Sequence, residues 1–204
     1  LCRDILAFLE REIPDIRPQI RYVLIERSAR MIEHQRDVLE PFLSAGWPVS
    51  WCRGLDTFLP EGIEGVIFSN ELVDAFPVHR VLFQGGKLHE IYVGLDEHGD
   101  FTEIIGYPST QQLEARFNSL GISLAEGYRT EVNLSLSGWL RQLAAVLKRG
   151  VALLIDYGYE GVNFYGQDRN LGTLAYYYNH VQTNNPYQRV GKQDITSHVE
   201  FTTL

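Results

Sequence analysis

The sequence has little of several features that would indicate particular classes of protein. Its 204 residues include two cysteines, without a C-x-x-C pair, so a disulfide framework or a structural zinc site is poorly supported. We expect Cys2 and Cys52 to be reduced thiols. No stretch approaches the ~18 apolar residues of a membrane-spanning helix, and the N-terminus lacks the layout of a secretory signal. We therefore expect a soluble protein of a cytoplasmic-type compartment.

Several catalytic motifs are also absent. The chain has no G-x-S-x-G turn, H-E-x-x-H helix or Walker loop, and no Ser-His-Asp order. The sequence therefore contains no motif that supports a hydrolase, a zinc protease or an NTPase. We expect no bound metal. The net charge of −8 would repel a phosphate backbone, so nucleic acid is excluded as the expected partner. A basic peptide would suit this charge better.

Helical and strand-like patterns alternate in the first third of the chain. The predicted elements are helices over 1–12 and 28–42 and strands over 21–26, 49–52 and 65–69. This β-α-β-α-β order predicts an α/β fold with a mostly parallel sheet and helices on both faces. With 45% hydrophobic residues, one domain over 1–204 is the simplest organisation. Because the chain opens on Leu1 inside a helical pattern, we expect further residues upstream.

The pattern changes after Val78. Short strand-like stretches separated by Gly85-Gly86 and by 96–99 predict an antiparallel β insertion over 78–128, which also includes a helix over about 109–119. An amphipathic helix over 136–148 and a buried strand over 151–156 follow. The remainder, 160–204, is not periodic and is too long for a passive connection. We interpret it as a lid or substrate-binding segment.

Three polar residues, Asn70, Glu71 and Asp74, follow the strand over 65–69. The pattern indicates one helical turn from Glu71 that Pro77 ends, with Glu71 and Asp74 on the same face. Two carboxylates and a carboxamide at a strand end can bind and orient a nitrogen nucleophile, and we favour this catalytic role. The alternative is helix capping, with Asn70 as the N-cap and Glu71 beside the helix dipole. Both can hold together.

Other candidate residues leave their alternatives open. Glu26 ends a strand where nucleotide-binding α/β folds place an acid against ribose hydroxyls, but it could be a surface acid paired with Arg27 or Arg30. Asp156 could contact substrate or cap its strand end. His180 and His198 fit structural histidines more often than catalytic bases, although both lie in the polar C-terminal segment.

Four segments, in this order, resemble the MidA-type S-adenosylmethionine-dependent methyltransferases. They are 70–78, 153–159, 172–174 with Tyr177 and His180, and 193–201. That family includes the mitochondrial protein-arginine methyltransferase required for assembly of respiratory complex I. The resemblance extends over most of the chain. It implies a Rossmann-like fold, S-adenosylmethionine as cofactor and a protein substrate with an exposed arginine. It also implies the mitochondrial matrix as the location in a eukaryote.

The resemblance assigns roles to individual positions. Glu26 would hold the cofactor ribose, Trp51 and Leu55 would lie near the adenine, and Asn70 would contact both cofactor and substrate. Glu71 and Asp74 would face the transferred methyl group. The candidate substrate-binding residues are Asp156, Tyr157, Tyr177, His180, Asp194 and His198. The family's glycine-rich cofactor loop should precede Leu1, and its last strands should follow Leu204.

Two other functions compete with an arginine methyltransferase. One is a non-catalytic assembly factor or binding module that keeps the fold and holds a partner in an acidic cleft. The other is methylation of a small molecule. The sequence leaves the oligomeric state open.

Overall fold

The structure, a computed structural model, describes all 204 residues and divides into two compact units, residues 1–63 and 64–204. The first unit contains helices α1 (Cys2–Glu12) and α2 (Ala29–Ser44) and strands β1 (Tyr22–Ile25) and β2 (Val49–Cys52). Ser28 caps α2, as predicted, because its hydroxyl accepts a hydrogen bond from the Met31 backbone N–H at 3.3 Å. Strands β1 and β2 pair in parallel, with Ile25 opposite Cys52.

The core of the first unit lies between its helices and its sheet. Leu6, Leu39 and Trp47 are almost completely buried there and pack against apolar residues of β1 and β2. The alternation of helical and strand patterns read from the sequence is confirmed in this unit. Both cysteines are free thiols, and burial raises the pKa of the Cys2 thiol.

The second unit begins with β3 (Ile63–Asn70) and continues into a four-stranded antiparallel sheet. The strands of that sheet are β4 (His79–Gln84), β5 (Lys87–Leu95), β6 (Phe101–Gly106) and β7 (Arg129–Val132), in the order β6-β5-β4-β7. The two predicted hairpins are confirmed. Strand β7 lies in a stretch that the sequence pattern left irregular.

Two helices follow strands of this sheet along the chain. Helix α3 (Gln112–Leu120) ends at Gly121, whose φ of 64° gives the left-handed C-cap that its sequence predicts. Leu113 and Phe117 of α3 pack on Val81 and Val132 of the sheet and form the main core of the unit. Helix α4 (Leu136–Val146) is the predicted amphipathic helix.

Strand β8 (Leu147–Ile155) pairs with β3 in a two-stranded sheet. An ion pair joins Arg149 to Glu64 at one end, and the Glu71 N–H donates to the Ile155 carbonyl at the other, so the strands run in the same direction. The prediction that these strands are neighbours is confirmed. The helix predicted over 136–148 ends two residues early, at Val146, and Gly150 lies within β8, where its φ is 137°.

The prediction that these two strands are buried is also wrong. Val66, Val151, Leu153 and Ile155 are between 46% and 71% exposed. The apolar pattern is that of a strand covered on both faces. Strands β3 and β8 form a sheet of only two strands, and its faces are not covered in this way.

The segment after Tyr157, which shows no periodicity in sequence, contains short regular elements. They are β9 (Gly158–Tyr159), α5 (Gly161–Phe164), β10 (Ala175–Tyr178), β11 (Val181–Thr183), β12 (Asp194–Thr196) and β13 (Val199–Glu200). Strands β11, β10 and β12 form an antiparallel sheet in that order, and β13 pairs with β9 in parallel.

The mixed α/β class is therefore confirmed, while the mostly parallel single sheet is confirmed only in part. The parallel pairs are β1-β2, β3-β8 and β9-β13, and each is a separate sheet of two strands. The larger sheets are antiparallel. Strands β1 and β3, which we expected in one sheet, belong to different sheets.

Candidate functional site

An open cleft in the second unit brings together most of the predicted catalytic and substrate-binding residues. Its volume is about 670 Å³, within the ~300–1,000 Å³ range of small-ligand pockets. The residues that line it are Glu71, Asp74, Ala75, Tyr157, Tyr177, His180, Gln193, Asp194, Ile195 and Thr196. Six of these are candidates from the sequence.

Glu71 enters the cleft from a tight turn and not from the predicted helix. Strand β3 continues to Asn70, so Asn70 is a strand residue and not an N-cap. Glu71 has a φ of 46°, a left-handed conformation that is uncommon for residues other than glycine and that interrupts any helix at this point. Its N–H is held by the Ile155 carbonyl at 2.9 Å. The predicted helical turn is therefore wrong, although Glu71 and Asp74 still line one cleft.

Asp156 supports the turn that carries Asp74. Its Oδ2 accepts hydrogen bonds from the backbone N–H groups of Val73 at 3.0 Å and Asp74 at 3.3 Å. Its Oδ1 accepts from the Tyr157 N–H at 2.9 Å. Asp156 does not line the cleft. Of its two predicted roles, these contacts favour capping of the backbone over contact with substrate.

Tyr157 occupies one oxygen of the Asp74 carboxylate. The Tyr157 hydroxyl donates to Asp74 Oδ2 at 2.6 Å. Burial and this hydrogen bond to a carboxylate raise the pKa of Tyr157 to about 12, because both disfavour the phenolate. The phenol is therefore a proton donor throughout the physiological pH range.

The other Asp74 oxygen has no partner. Asp74 is only 5% exposed, yet its Oδ1 is buried and makes no hydrogen bond within the chain. A buried carboxylate oxygen without a donor is costly, typically by ~1–3 kcal/mol or more when charged. Asp74 also lines the cleft, but Oδ1 itself is buried, so a donor in the cleft would reach it only after a local rearrangement.

The sheet β11-β10-β12 supplies other residues of the cleft. Tyr177 on β10 pairs with Asp194 on β12, so the two side chains lie on the same face. His180 lies in the two-residue turn between β10 and β11, where Asn179 and His180 have φ values of 50° and 63°. Two positive φ values are typical of a type I′ hairpin turn. This hairpin presents His180 to the cleft.

His198 lies outside the cleft. Its ring makes an edge-to-face contact with Tyr157, with 5.2 Å between centroids, and a tilted contact with Tyr159, at 5.4 Å. Burial and the positive charge of Arg169 lower the pKa of His198, and its Nδ1 is buried without a partner. It lines a separate enclosed cavity of about 20 Å³, room for roughly one water molecule. These surroundings favour the structural alternative for His198.

The remaining candidates lie in the first unit, at the carboxyl ends of its two parallel strands. Glu26 follows β1, Trp51 lies in β2, and Leu55 follows β2 and is 7% exposed. The Glu26 N–H donates to the Cys52 carbonyl at 2.9 Å, which fixes the two strand ends side by side. Adjacent carboxyl ends of parallel strands are where open α/β sheets bind ligands.

The Glu26 carboxylate holds the two residues that precede helix α2, Arg27 and the N-cap Ser28. Its Oε1 accepts from the backbone N–H groups of Arg27 and Ser28, each at 2.8 Å. Its Oε2 accepts only from Gln35, at 3.3 Å, and Gln35 in turn accepts from the Trp51 indole N–H at 2.8 Å. The predicted pairing with the Arg27 or Arg30 side chain is not formed. Oε2 keeps acceptor capacity for a hydroxyl group.

Sequence reasoning missed several residues that the structure places at these sites. Gln193, Ile195 and Thr196 line the cleft next to Asp194, and Gln35 links Glu26 to Trp51. The strand pattern of 193–196 is too short to detect by periodicity. In the sequence, Gln35 was identified only as one of the residues on the mainly apolar face of α2.

Two structural findings complete the description. None of the helices is long and apolar enough to cross a membrane. No group of three or more histidine, cysteine, aspartate or glutamate side chains is arranged to hold a metal ion.

Comparison with known proteins gives the family. The family described as "Putative S-adenosyl-L-methionine-dependent methyltransferase" matches residues 1–204. No curated protein matches the chain. A Burkholderia thailandensis protein of the COG1565 superfamily, solved bound to S-adenosyl-homocysteine, is 35% identical, with a TM-score of 0.79 over 90% of this chain and 46% of that one.

A native crystal structure of a COG1565 superfamily protein from the same organism also matches, with 35% identity and a TM-score of 0.79, over 90% of this chain and 48% of that one. The chain thus spans about half the length of the solved structures that it matches. It belongs to the family of S-adenosyl-L-methionine-dependent methyltransferases.

Proposed function

We propose that this protein is a MidA-type methyltransferase that uses S-adenosylmethionine to methylate an arginine side chain of a protein. The observation that carries the proposal is that two carboxylates, Glu71 and Asp74, line one cleft, with the Asp74 carboxylate held by the Tyr157 hydroxyl. The Glu71 side chain is exposed and makes no hydrogen bond within the chain. Two carboxylates held at one side of a cleft bind a cationic nitrogen group.

The residues at the strand ends of the first unit fit the nucleoside part of the cofactor. Glu26 Oε2 has acceptor capacity for a ribose hydroxyl, and Trp51 offers a half-buried aromatic ring for the adenine. The Burkholderia protein that was solved with S-adenosyl-homocysteine supports this assignment through its 35% identity. When bound, S-adenosylmethionine supplies an electrophilic methyl group on a sulfonium centre.

The chain's own task is to hold and orient the nucleophile. Methyl transfer is an in-line displacement, so positioning and removal of water account for most of what the protein must do. An arginine stays protonated at neutral pH. In this proposal Glu71 and Asp74 hold the guanidinium and direct one nitrogen outward, while Tyr177, His180 and Asp194 form the opposing wall.

The left-handed conformation of Glu71 supports a functional role for this turn. Backbone conformations of this kind cost ~1–3 kcal/mol and are concentrated at active sites and ligand clamps. Here the hydrogen bond from the Glu71 N–H to Ile155 fixes the conformation. The cleft is also acidic, as a site for a basic protein segment should be.

Transfer of a radiolabelled methyl group from S-adenosylmethionine to peptides tests the substrate. We expect label in a peptide with one arginine between small residues, and none when that arginine is replaced by lysine or glutamine. Amino-acid analysis of the product should identify methylarginine. Equal labelling of the lysine peptide would remove the arginine assignment, and labelling of small metabolites alone would favour a small-molecule substrate. Cofactor binding without transfer to any acceptor would favour the non-catalytic binding module.

A further inference from the structure

Strand β12 is an edge strand that lines the cleft. It pairs only with β10, at one end of the order β11-β10-β12, so its outer edge has no partner strand. All three of its residues, Asp194, Ile195 and Thr196, line the cleft. Unpaired N–H and C=O groups at the edge of a sheet are a template for pairing with another extended chain. Whether β12 can serve in this way depends on the direction of its backbone groups.

Ile195 has its backbone N–H and C=O on the outer edge of β12. Along an extended strand, the backbone groups of successive residues point to opposite edges. The Ser197 N–H points outward, since it donates to the Asp74 carbonyl at 2.9 Å. The next residue, His198, points the other way and donates its N–H to the Thr173 hydroxyl at 3.1 Å. Ile195, two residues before Ser197, therefore points outward, where neither of its backbone groups has a partner within the chain.

The hairpin β10-β11 gives the same direction independently. Tyr178 and Val181 close its two-residue turn, and residues in these positions are joined by a backbone hydrogen bond. The backbone groups of Tyr178 therefore face β11, and so do those of Tyr176, two residues before it. Tyr176 is the residue of β10 that lies opposite Ile195. This pair exchanges no hydrogen bonds, so the Ile195 groups are free on the outer edge.

The charges of the cleft suit a basic ligand. Its lining includes three carboxylates, Glu71, Asp74 and Asp194, and no lysine or arginine. The outer edge of β12 lies beside the turn that carries Asp74, because the Ser197 N–H bonds to the Asp74 carbonyl. An extended chain that pairs with Ile195 would therefore lie in the cleft that these carboxylates line.

We propose that the outer edge of β12 binds an extended, basic segment of the substrate protein by strand addition, through the Ile195 N–H and C=O. The proposal rests on the proposed function only in taking the substrate to be a protein. In strand addition, main-chain hydrogen bonds supply affinity, and the sites that receive the side chains supply specificity. Backbone pairing holds the segment in register here, while the carboxylates of the cleft select its basic side chain.

Hydrogen exchange of the Ile195 amide tests the outer edge of β12 directly. The probe is a short peptide of threonine and valine with one central arginine, blocked at both ends, and the exchange is followed by NMR on isotopically labelled protein. With saturating peptide we expect the Ile195 N–H to exchange about tenfold more slowly, because it gains an acceptor.

Gln182 provides the matched control in the same sheet. By the same alternation its N–H faces outward from β11, at the opposite edge, and Gln182 does not line the cleft. Its exchange should not change with peptide. Equal protection of Ile195 and Gln182, protection of neither, or no binding of the peptide at millimolar concentration would overturn the proposal.

Methylation of the peptide's own backbone nitrogens tests the pairing with no change in the protein. In an extended peptide, alternate N–H groups face the strand beside it. We expect methylation of the N–H that faces Ile195 to raise the dissociation constant about three- to tenfold, since one hydrogen bond is lost. Methylation of the N–H on either side should change it little. A uniform loss at all positions, or no loss at any, would contradict strand addition.

Two further outcomes separate this proposal from its alternatives. Methyl transfer at one rate to the unmodified peptide and to every N-methylated peptide would retain arginine methylation and overturn binding at the outer edge of β12. Protection of Ile195 without any methyl transfer would confirm the binding edge and contradict the proposed function. Protection that rises with protein concentration in the absence of peptide would assign the edge to a second copy of the chain and overturn the proposal.

Discussion

Three aspartate and glutamate residues that follow strands have three different tasks in this molecule. Glu26 accepts the first backbone N–H groups around helix α2, and Asp156 holds the turn after β3. Asp74 accepts the Tyr157 hydroxyl at the cleft, and its other oxygen is buried without a partner. All three lie at strand ends, where backbone donors and ligands compete for carboxylates. The number of backbone N–H groups within reach decides which task each residue has.

Competition between backbone N–H groups and a ligand for the Glu26 carboxylate can be tested by substitution. Glu26→Ala should weaken binding of S-adenosylmethionine by roughly 1.5–3 kcal/mol, the range for charged hydrogen bonds. It should also lower the free energy of unfolding by about 1 kcal/mol, because two backbone N–H groups just before α2 lose their acceptor. Calorimetric titration and urea unfolding measure the two effects.

Two variants serve as controls for Glu26. Glu26→Gln retains an acceptor oxygen and should recover most of the stability, while Glu33→Ala changes an exposed glutamate of the same helix and should affect neither quantity. An unchanged dissociation constant in Glu26→Ala would assign this carboxylate to helix capping alone.

At the scale of elements, local signals decide how much could be predicted. The hairpin between β4 and β5 was predictable because Gly85 and Gly86 both take positive φ, as a two-residue turn requires. The hairpin between β10 and β11 was not, because Asn179 and His180 take the same conformation without glycine. Strands of two or three residues, such as β12, give no periodicity to detect.

The helical turn predicted after Asn70 failed for a related reason. The spacing of Glu71 and Asp74 fits a helix, but the Glu71 N–H bonds to Ile155 on a strand 84 residues away in sequence. That contact is formed only when β8 lies beside β3. The residue spacing predicted that Glu71 and Asp74 belong to one site. The tertiary contact with Ile155 determined the backbone conformation of Glu71 there.

The antiparallel hairpin β4-β5 contains a buried carboxylate that should make its stability depend on pH. Burial alone would raise the pKa of Glu90, but hydrogen bonds from His79, at 2.7 Å, and from Ser109 and Tyr92 lower it to about 2. The carboxylate thus favours the folded state above pH 4.5, and that contribution is lost as the pH falls toward 2.

Glu90→Gln should therefore lower the free energy of unfolding at pH 7 by about 2–3 kcal/mol. The difference from wild type should shrink as the pH is lowered from about 4.5 toward 2. Urea unfolding at several pH values measures this, with Glu97→Gln on the exposed β5-β6 turn as the control. A difference that stays constant over that range would show that the Glu90 charge is not stabilising.

At the scale of the whole molecule, the candidates fall into two groups. Glu26, Trp51 and Leu55 lie in the unit 1–63, and the cleft lies in the unit 64–204. Glu26, Glu71 and Asp74 were visible in the sequence as polar residues near strand ends. Trp51, Leu55, Tyr177 and Asp194 were named only through the resemblance to the MidA-type family. It could not predict that Tyr157 binds Asp74 or that Asp156 binds backbone, since these contacts join residues more than 80 positions apart.

The central claim is that Glu71 and Asp74 act on the substrate and not on the cofactor. The most direct measurement is methyl transfer by the double variant Glu71→Gln/Asp74→Asn, with the dissociation constant for S-adenosylmethionine measured in the same samples. The matched control is Glu97→Gln/Asp100→Asn, which makes the same charge change at the same spacing on an exposed turn.

We expect the double variant to bind the cofactor within about twofold of wild type and to lose transfer by on the order of 100-fold, less than the product of the single effects. The control should retain both. Transfer at the wild-type rate in the double variant, or a loss of transfer matched by an equal loss of cofactor affinity, would contradict the account.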